Sequence, residues 1–193
     1  LVTGASGFVG SYLIPELLDG GHRVVALVRD AAAQAKVLRR LGPAAEGRIE
    51  FRTGDVTRPE TLPAAVAGVD AVIHLVAIPR DWDGGRSLAR INTGGTRNIV
   101  DAAKAAGVRR FIHQGALAVE DRPELHYASS KKRAERYVAE SGLDWTIVKP
   151  SLIWGPRDGF FNILAGLVRM SPGFVPVPGD GKARFQPIAA TDV

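Results

Sequence analysis

Tyr127 and Lys131 stand four residues apart in "HYASSK". On a helix that spacing puts both side chains on one face. The residue types suit proton transfer. A free phenol ionises at about pH 10, too high for a base at neutral pH. An ammonium within about 4–6 Å stabilises the phenolate and brings it toward the working range. Such a pair recurs by chance on many helices, so its meaning depends on what precedes it. Here a strand candidate, "RRFIHQ" (109–114), runs into Gly115 and Ala116. Gln114, Gly115 and Ala116 offer no hydroxyl where a third catalytic group could stand. The Gln114 amide is the one side-chain donor among them. Ser129 and Ser130, on the helix itself, read as solvent-facing or capping.

A second constellation opens the chain. "TGASGFVG" sets Gly4, Gly7 and Gly10 at G-x-x-G-x-x-G spacing between a short strand and a helix. The first glycine permits a tight turn, the second lets backbone approach a pyrophosphate, and the third lets helix and strand pack closely. Phosphates would sit at the helix N-terminus, where free N–H groups and the macrodipole favour negative charge. "HRVVALVRD" follows, the context that a dinucleotide site requires. At the end of that second strand an NAD-type site wants a carboxylate on the ribose hydroxyls. The sequence has Val28, Arg29 and Asp30 instead. A guanidinium can fork onto a 2′-phosphate, so Arg29 favours NADP(H), with NAD(H) possible. Asp30 reads as the cap of the helix starting at Ala31. Asp55 and Val56 fall where an adenine would be flanked, or where a turn aspartate would cap the next helix. His74, inside the apolar run "VIHLVA", reads as a packed core histidine.

These residues need a frame. Strand candidates lie at 22–28, 48–53, 70–77, 109–114 and 144–149. Helix candidates lie at 8–19, 31–41, 59–67, 86–106, 127–141 and 159–170. Short apolar strands that barely alternate polarity read as buried on both faces, and their alternation with helices implies a parallel sheet. The fold class is α/β, a Rossmann-type doubly wound sheet in a single domain over 1–193. After residue 171 the texture turns rich in Pro and Gly, with one possible strand. Both ends read as incomplete.

The composition narrows the remaining classes. The 193 residues are 46% hydrophobic and 23% charged, ordinary for a globular protein. With no cysteine, disulfides and thiolate metal sites are excluded, and no metal site is read. No apolar run approaches the roughly 20 residues that span a bilayer, and no signal peptide is visible. The expected setting is cytoplasmic. Lys and Arg outnumber Asp and Glu, 25 to 20, but the charges are scattered. Clusters such as Arg39-Arg40, Arg109-Arg110 and Lys131-Lys132-Arg133 read as solvated helix faces rather than a nucleic-acid surface.

In chain order, "TGASGFVG", "GDV" (54–56), "VIHLVA", "INTGGTRNIVDAAKAAGV" (91–108), "YASSK" (127–131) and "KPSLIWGP" (149–156) cover almost the whole length. Together they resemble the extended and atypical short-chain dehydrogenase/reductases, the NAD(P)-dependent epimerase/dehydratase-like proteins. "GLDWTIVKPSLIWGPRDGFFN" and "SPGFVPVPGDGKARFQPI" are most similar to the group of the NADPH-binding accessory subunit of respiratory complex I and its bacterial relatives. The resemblance implies cofactor contacts from the glycine turn (Gly4, Ser6, Gly7, Phe8, Val9, Gly10), with Arg29 on the adenosine phosphate and Asp55 and Val56 on the adenine. Leu75, Val76 and Ala77 would pass beneath the ribose. Asn92 would support the sheet edge. Tyr127 and Lys131 would be the catalytic pair, Lys131 also holding the nicotinamide ribose, and Pro150, Ser151 and Leu152 would flank the nicotinamide.

The family places a Ser or Thr at the end of the fifth strand, which is missing here. Loss of such a donor costs roughly 3–4 kcal/mol in a hydrolase oxyanion hole, enough to slow a reaction without abolishing it. Two functions follow. One is an oxidoreductase or epimerase/dehydratase-type enzyme acting on a carbonyl compound or nucleotide sugar. The other is a non-catalytic NADPH-binding protein with a structural or redox-sensing role beside a protein partner. The resemblance further implies that most of a small C-terminal substrate lobe is missing, and allows a homodimer through the helices at 86–106 and 127–141.

Overall fold

A computed structural model describes residues 1–171, 173–174, 180–182 and 184–193. The chain divides into two compact units, Leu1–Lys149 and Pro150–Val193. The boundary falls before the change of texture at residue 171.

In the first unit the elements are β1 (Val2–Thr3), α1 (Gly10–Asp19), β2 (Val24–Val28), α2 (Ala31–Leu41), β3 (Ile49–Thr53), α3 (Leu62–Val66) and β4 (Ala71–His74). They continue with α4 (Arg86–Leu88), α5 (Gly95–Ala105), β5 (Arg110–Gln114), α6 (His126–Ala139) and β6 (Asp144–Val148). All six strands pair in parallel in the order β3-β2-β1-β4-β5-β6. This is the doubly wound sheet expected. The winding reverses between β1 and β4, where open α/β sheets bind ligands at the strands' carboxyl ends.

The two-residue period of the strands sorts the core. Val24, Ala26 and Val28 of β2 face α1 and α2 with Val2, Ile14 and Val37. Leu27 points the other way, into a cluster with Leu62, Val72, Ile99, Phe111 and Val138. Each fully buried aliphatic or aromatic side chain contributes roughly 1.5–3 kcal/mol. β6 departs from the expected two-sided burial. It is one of the two edge strands, and Trp145 is 42% exposed.

The helix expected over 86–106 is broken. Between α4 and α5 the stretch Ala89–Gly94 is π-helical, with Asn92 buried in it. Such bulges are rare and concentrate at functional sites. β4 also stops at His74, short of the expected 77. Leu75 donates its N–H to Thr3 O, and the chain then leaves the sheet.

The second unit holds β7 (Ile153–Trp154), α7 (Phe161–Met170) and β8 (Ile188–Ala189), with β7 and β8 paired in parallel. Asp158 begins α7 by accepting from the backbone N–H of Phe160 and Phe161. Part of the Pro/Gly-rich segment lies outside the described residues.

Candidate functional site

The glycine turn follows β1 into α1. Gly4 takes φ +71°, the left-handed region. A Cβ on Gly7 would stand 2.9 Å from Gly4 O, and one on Gly10 2.7 Å from the same oxygen. Both obstacles are backbone, so side chains at these two positions are excluded. Arg40, from the last turn of α2, donates through Nη1 to Ser6 O and Gly7 O, each at 2.7 Å. Arg40 is therefore not the solvated helix residue expected. It braces the turn from 33 residues away in sequence.

Gly4, Ser6 and Gly7 line a cleft of about 430 Å³ together with Val28, Arg29, Asp55, Val56 and Leu75–Ile78. Phe8, Val9 and Gly10 lead into α1 and do not line it. Arg29 is exposed on the cleft. Asp30 caps α2, accepting from Ala33 N at 2.7 Å, as expected. Asp55 accepts from both the N–H and the hydroxyl of Thr57 at 2.8 Å. Burial pushes its carboxyl up, but the Thr57 hydrogen bonds, Arg29 and Arg58 hold it below the usual range. Asp55 is thus a turn aspartate and a cleft residue at once. The cleft offers a crowded glycine turn, no acidic residue in the first turn of α1 and the exposed guanidinium of Arg29 at its edge. Those features fit a dinucleotide's phosphates.

Asn92 joins this cleft to α6. Its Oδ1 accepts from Ile78 N and its Nδ2 donates to Ile78 O, clamping the chain that forms the cleft wall. The same Nδ2 donates to Ser130 Oγ at 3.0 Å. Ser130 donates onward to Tyr127 O, and Thr93 donates to Ser130 O. Ser129 donates to Asp121 in the loop before α6. Both serines are at most 5% exposed, so the solvent-facing expectation fails. The loop carrying Asp121 and the π-helical stretch cover that side of the helix.

Along α6, Tyr127, Lys131 and Glu135 form a stripe at i, i+4 and i+8 that runs from surface to interior. Tyr127 is 37% exposed, while Lys131 and Glu135 are each 3% exposed. Lys131 Nζ donates to Gln114 O at 2.6 Å, tying the helix to the end of β5. Burial lowers its pKa to about 8, and the Glu135 carboxylate limits the fall. Burial raises the Tyr127 phenol above its ordinary value and Glu135 adds to the rise, so the lowering expected from the Lys131 ammonium is not found. Gln114 Oε1 is enclosed without a hydrogen-bond partner. The Ala116 N–H is taken by Glu135 Oε1 at 3.1 Å.

His74 is fully buried between Thr3 Oγ1 on Nδ1 and Thr96 Oγ1 on Nε2, the packed core histidine expected. It stacks on His113 of β5 with ring centroids 5.5 Å apart. Pro150, Ser151 and Leu152 open the second unit, where Leu152 O accepts from Ile188 N. The sequence reading missed Glu135 and Arg40. For Glu135 the signal was present, a third polar residue four positions beyond Lys131. For Arg40 none was, because the contact is purely tertiary. Among the described residues no cluster of three or more His, Cys, Asp or Glu could hold a metal ion, and no helix is long and apolar enough to cross a membrane.

A parallel sheet with a crowded glycine turn at the winding reversal defines a dinucleotide-binding fold. The NAD(P)H-binding family matches residues 4–159. The 3β-hydroxysteroid dehydrogenase/Δ5→4-isomerase of Mycobacterium tuberculosis is 33% identical over 90% of this chain and 53% of its own. The photosystem II assembly factor Ycf39 of Synechocystis is 30% identical over 77% of this chain and 43% of its own. The solved structure of MoeE5 in complex with UDP-glucose and NAD is 26% identical, with a TM-score of 0.76 over 99% of this chain and 67% of that one. The chain belongs to this NAD(P)H-binding family of extended short-chain dehydrogenase/reductase-like proteins. It spans about half the length of the curated relatives it matches.

Proposed function

We propose that the chain is the cofactor-binding part of an NADP(H)-dependent oxidoreductase acting on a carbonyl compound or a nucleotide sugar, with Tyr127 and Lys131 as the proton-transferring pair. The observation that carries this reading is the α6 stripe: a partly exposed phenol backed by a buried ammonium, joined through Ser130 and Asn92 to the cleft wall at Ile78. Gly4, Ser6 and Gly7 would hold the pyrophosphate with Phe8, Val9 and Gly10 shaping the turn, Arg29 the 2′-phosphate, Asp55 and Val56 the adenine, and Leu75–Ala77 the ribose. When bound, the nicotinamide supplies the hydride. The Tyr127 phenol carries its proton at neutral pH, as the reducing direction requires, and its raised pKa makes it a weaker donor than a free phenol. Tyr127 gives that proton to the carbonyl oxygen, and the Lys131 ammonium stabilises the phenolate left behind. A cysteine-free chain suits the reducing cytoplasm.

The second reading, a non-catalytic NADPH-binding protein beside a partner, is favoured by one observation. The residues at the hydroxyl positions, Gln114, Gly115 and Ala116, supply no hydroxyl, and the Ala116 N–H is already engaged by Glu135. The similarity to an assembly factor points the same way. A screen of carbonyl and nucleotide-sugar substrates with NADPH, using wild type and Tyr127→Phe, separates the two. Turnover that Tyr127→Phe abolishes supports the enzyme. NADPH binding without any such turnover sinks it.

A further inference from the structure

The proposed proton transfer makes no use of Glu135, yet this buried carboxylate stands one turn beyond Lys131 on α6 and reaches the turn after β5. We infer that Glu135 is a positioning residue for the Tyr127–Lys131 pair, fixing the turn after β5 and acting on both side chains through its charge. The inference rests on those two being the reacting pair.

Three observations carry it. Glu135 Oε1 accepts from Ala116 N, so the carboxylate holds the backbone at one of the three positions where the family's hydroxyl was expected. A Cβ on Gly115 would lie 2.5 Å from the same oxygen, so glycine at 115 is the condition for the carboxylate's approach. Oε2 lies 3.0 Å from Lys149 Nζ at the end of β6, a charge contact without hydrogen-bond direction. One side chain thus connects α6, the turn after β5 and the end of β6.

The charges facing this site come from three elements. α6 supplies Tyr127, Lys131 and Glu135. β6 leads to Lys149. β5 supplies His113, which burial and its neighbours His74 and Lys131 keep neutral, and the turn at Gly115–Ala116 adds no ionisable side chain. Burial works to discharge Lys131, and Glu135 opposes it, keeping the ammonium mostly charged at neutral pH. The same carboxylate keeps the Tyr127 proton in place. A structural tie alone would account for the Ala116 bond but would leave the Tyr127 titration unmoved when the charge is removed.

The test is a spectrophotometric titration of tyrosinate in the full chain, with Tyr127 isolated by difference against Tyr127→Phe. Thermal unfolding of each variant confirms that it is folded. Glu135→Gln keeps an oxygen for the Ala116 N–H and removes the charge, so the Tyr127 midpoint shifts down. Lys149→Met removes the countercharge from a side chain 45% exposed, so the midpoint shifts up and the fold is kept. A midpoint that stays put, or moves the other way, in whichever of the two variants folds overturns the inference. The readout needs neither substrate nor cofactor. Opposite shifts in the two variants together with no Tyr127-dependent turnover would therefore defeat the proposed activity and leave the electrostatic role of Glu135 standing.

Discussion

Acidification should destabilise this protein through the buried His74–His113 pair before its carboxylates titrate. His74 has no exposed surface, and burial, with a contribution from Lys131, lowers its pKa from 6.5 to about 3. Its hydrogen bonds agree with a neutral ring. The Thr96 hydroxyl donates to Asn92 O and so accepts from Nε2–H, while Thr3 Oγ1 donates to Nδ1. Because the folded pKa is depressed, the stability from the neutral ring is complete above the unfolded value of 6.5. It is lost as pH falls from there toward 3. At about pH 5 the unfolded ring is mostly charged and the folded one is not, a difference worth about 2 kcal/mol for His74. His113, lowered for the same reason, adds to the loss. Urea unfolding of wild type and His74→Gln at about pH 8 and about pH 5 measures this. The variant should lose about 2 kcal/mol less than wild type between the two conditions. Parallel pH profiles for the two proteins would refute the reasoning.

Two further outcomes concern the glycine turn. Gly10→Ala forces a Cβ to within 2.7–2.9 Å of backbone at Gly4 and Ala5. It should cost about 1–3 kcal/mol in a urea melt and weaken dinucleotide binding. Arg40→Ala frees the Ser6 and Gly7 carbonyls from their shared donor. The expected loss is about 1–3 kcal/mol, with weaker NADPH binding by fluorescence titration, whereas Arg40→Met restoring both would contradict the hydrogen-bond argument.

What the sequence discloses here follows the range of the interactions involved. α2 was legible to the residue because its signals are local, an Asp30 cap and a Gly42 stop at φ +77°. The doubly wound parallel sheet followed from alternating short apolar runs and helices, with right-handed crossovers. The π-helical break at Ala89–Gly94 was not legible, because apolar spacing over a few residues does not separate i+4 from i+5 bonding. Ser129 and Ser130 were misjudged since polar residues on a polar helix read as exposed. What buries them is Asp121, eight residues before Ser129, and Asn92, 38 residues before Ser130. The glycine turn, Tyr127 and Lys131 announce themselves by spacing. Arg40 and Lys149 gain their roles only when the chain brings them to Gly7 and Glu135.

The most direct test of the central claim is a fluorescence titration of NADPH and NADH against wild type and Arg29→Ala. NADPH should bind more tightly than NADH, and Arg29→Ala should weaken NADPH alone by about 10- to 100-fold, the worth of a charge-assisted contact. Failure to bind either dinucleotide, or equal affinities unchanged in Arg29→Ala, would contradict it.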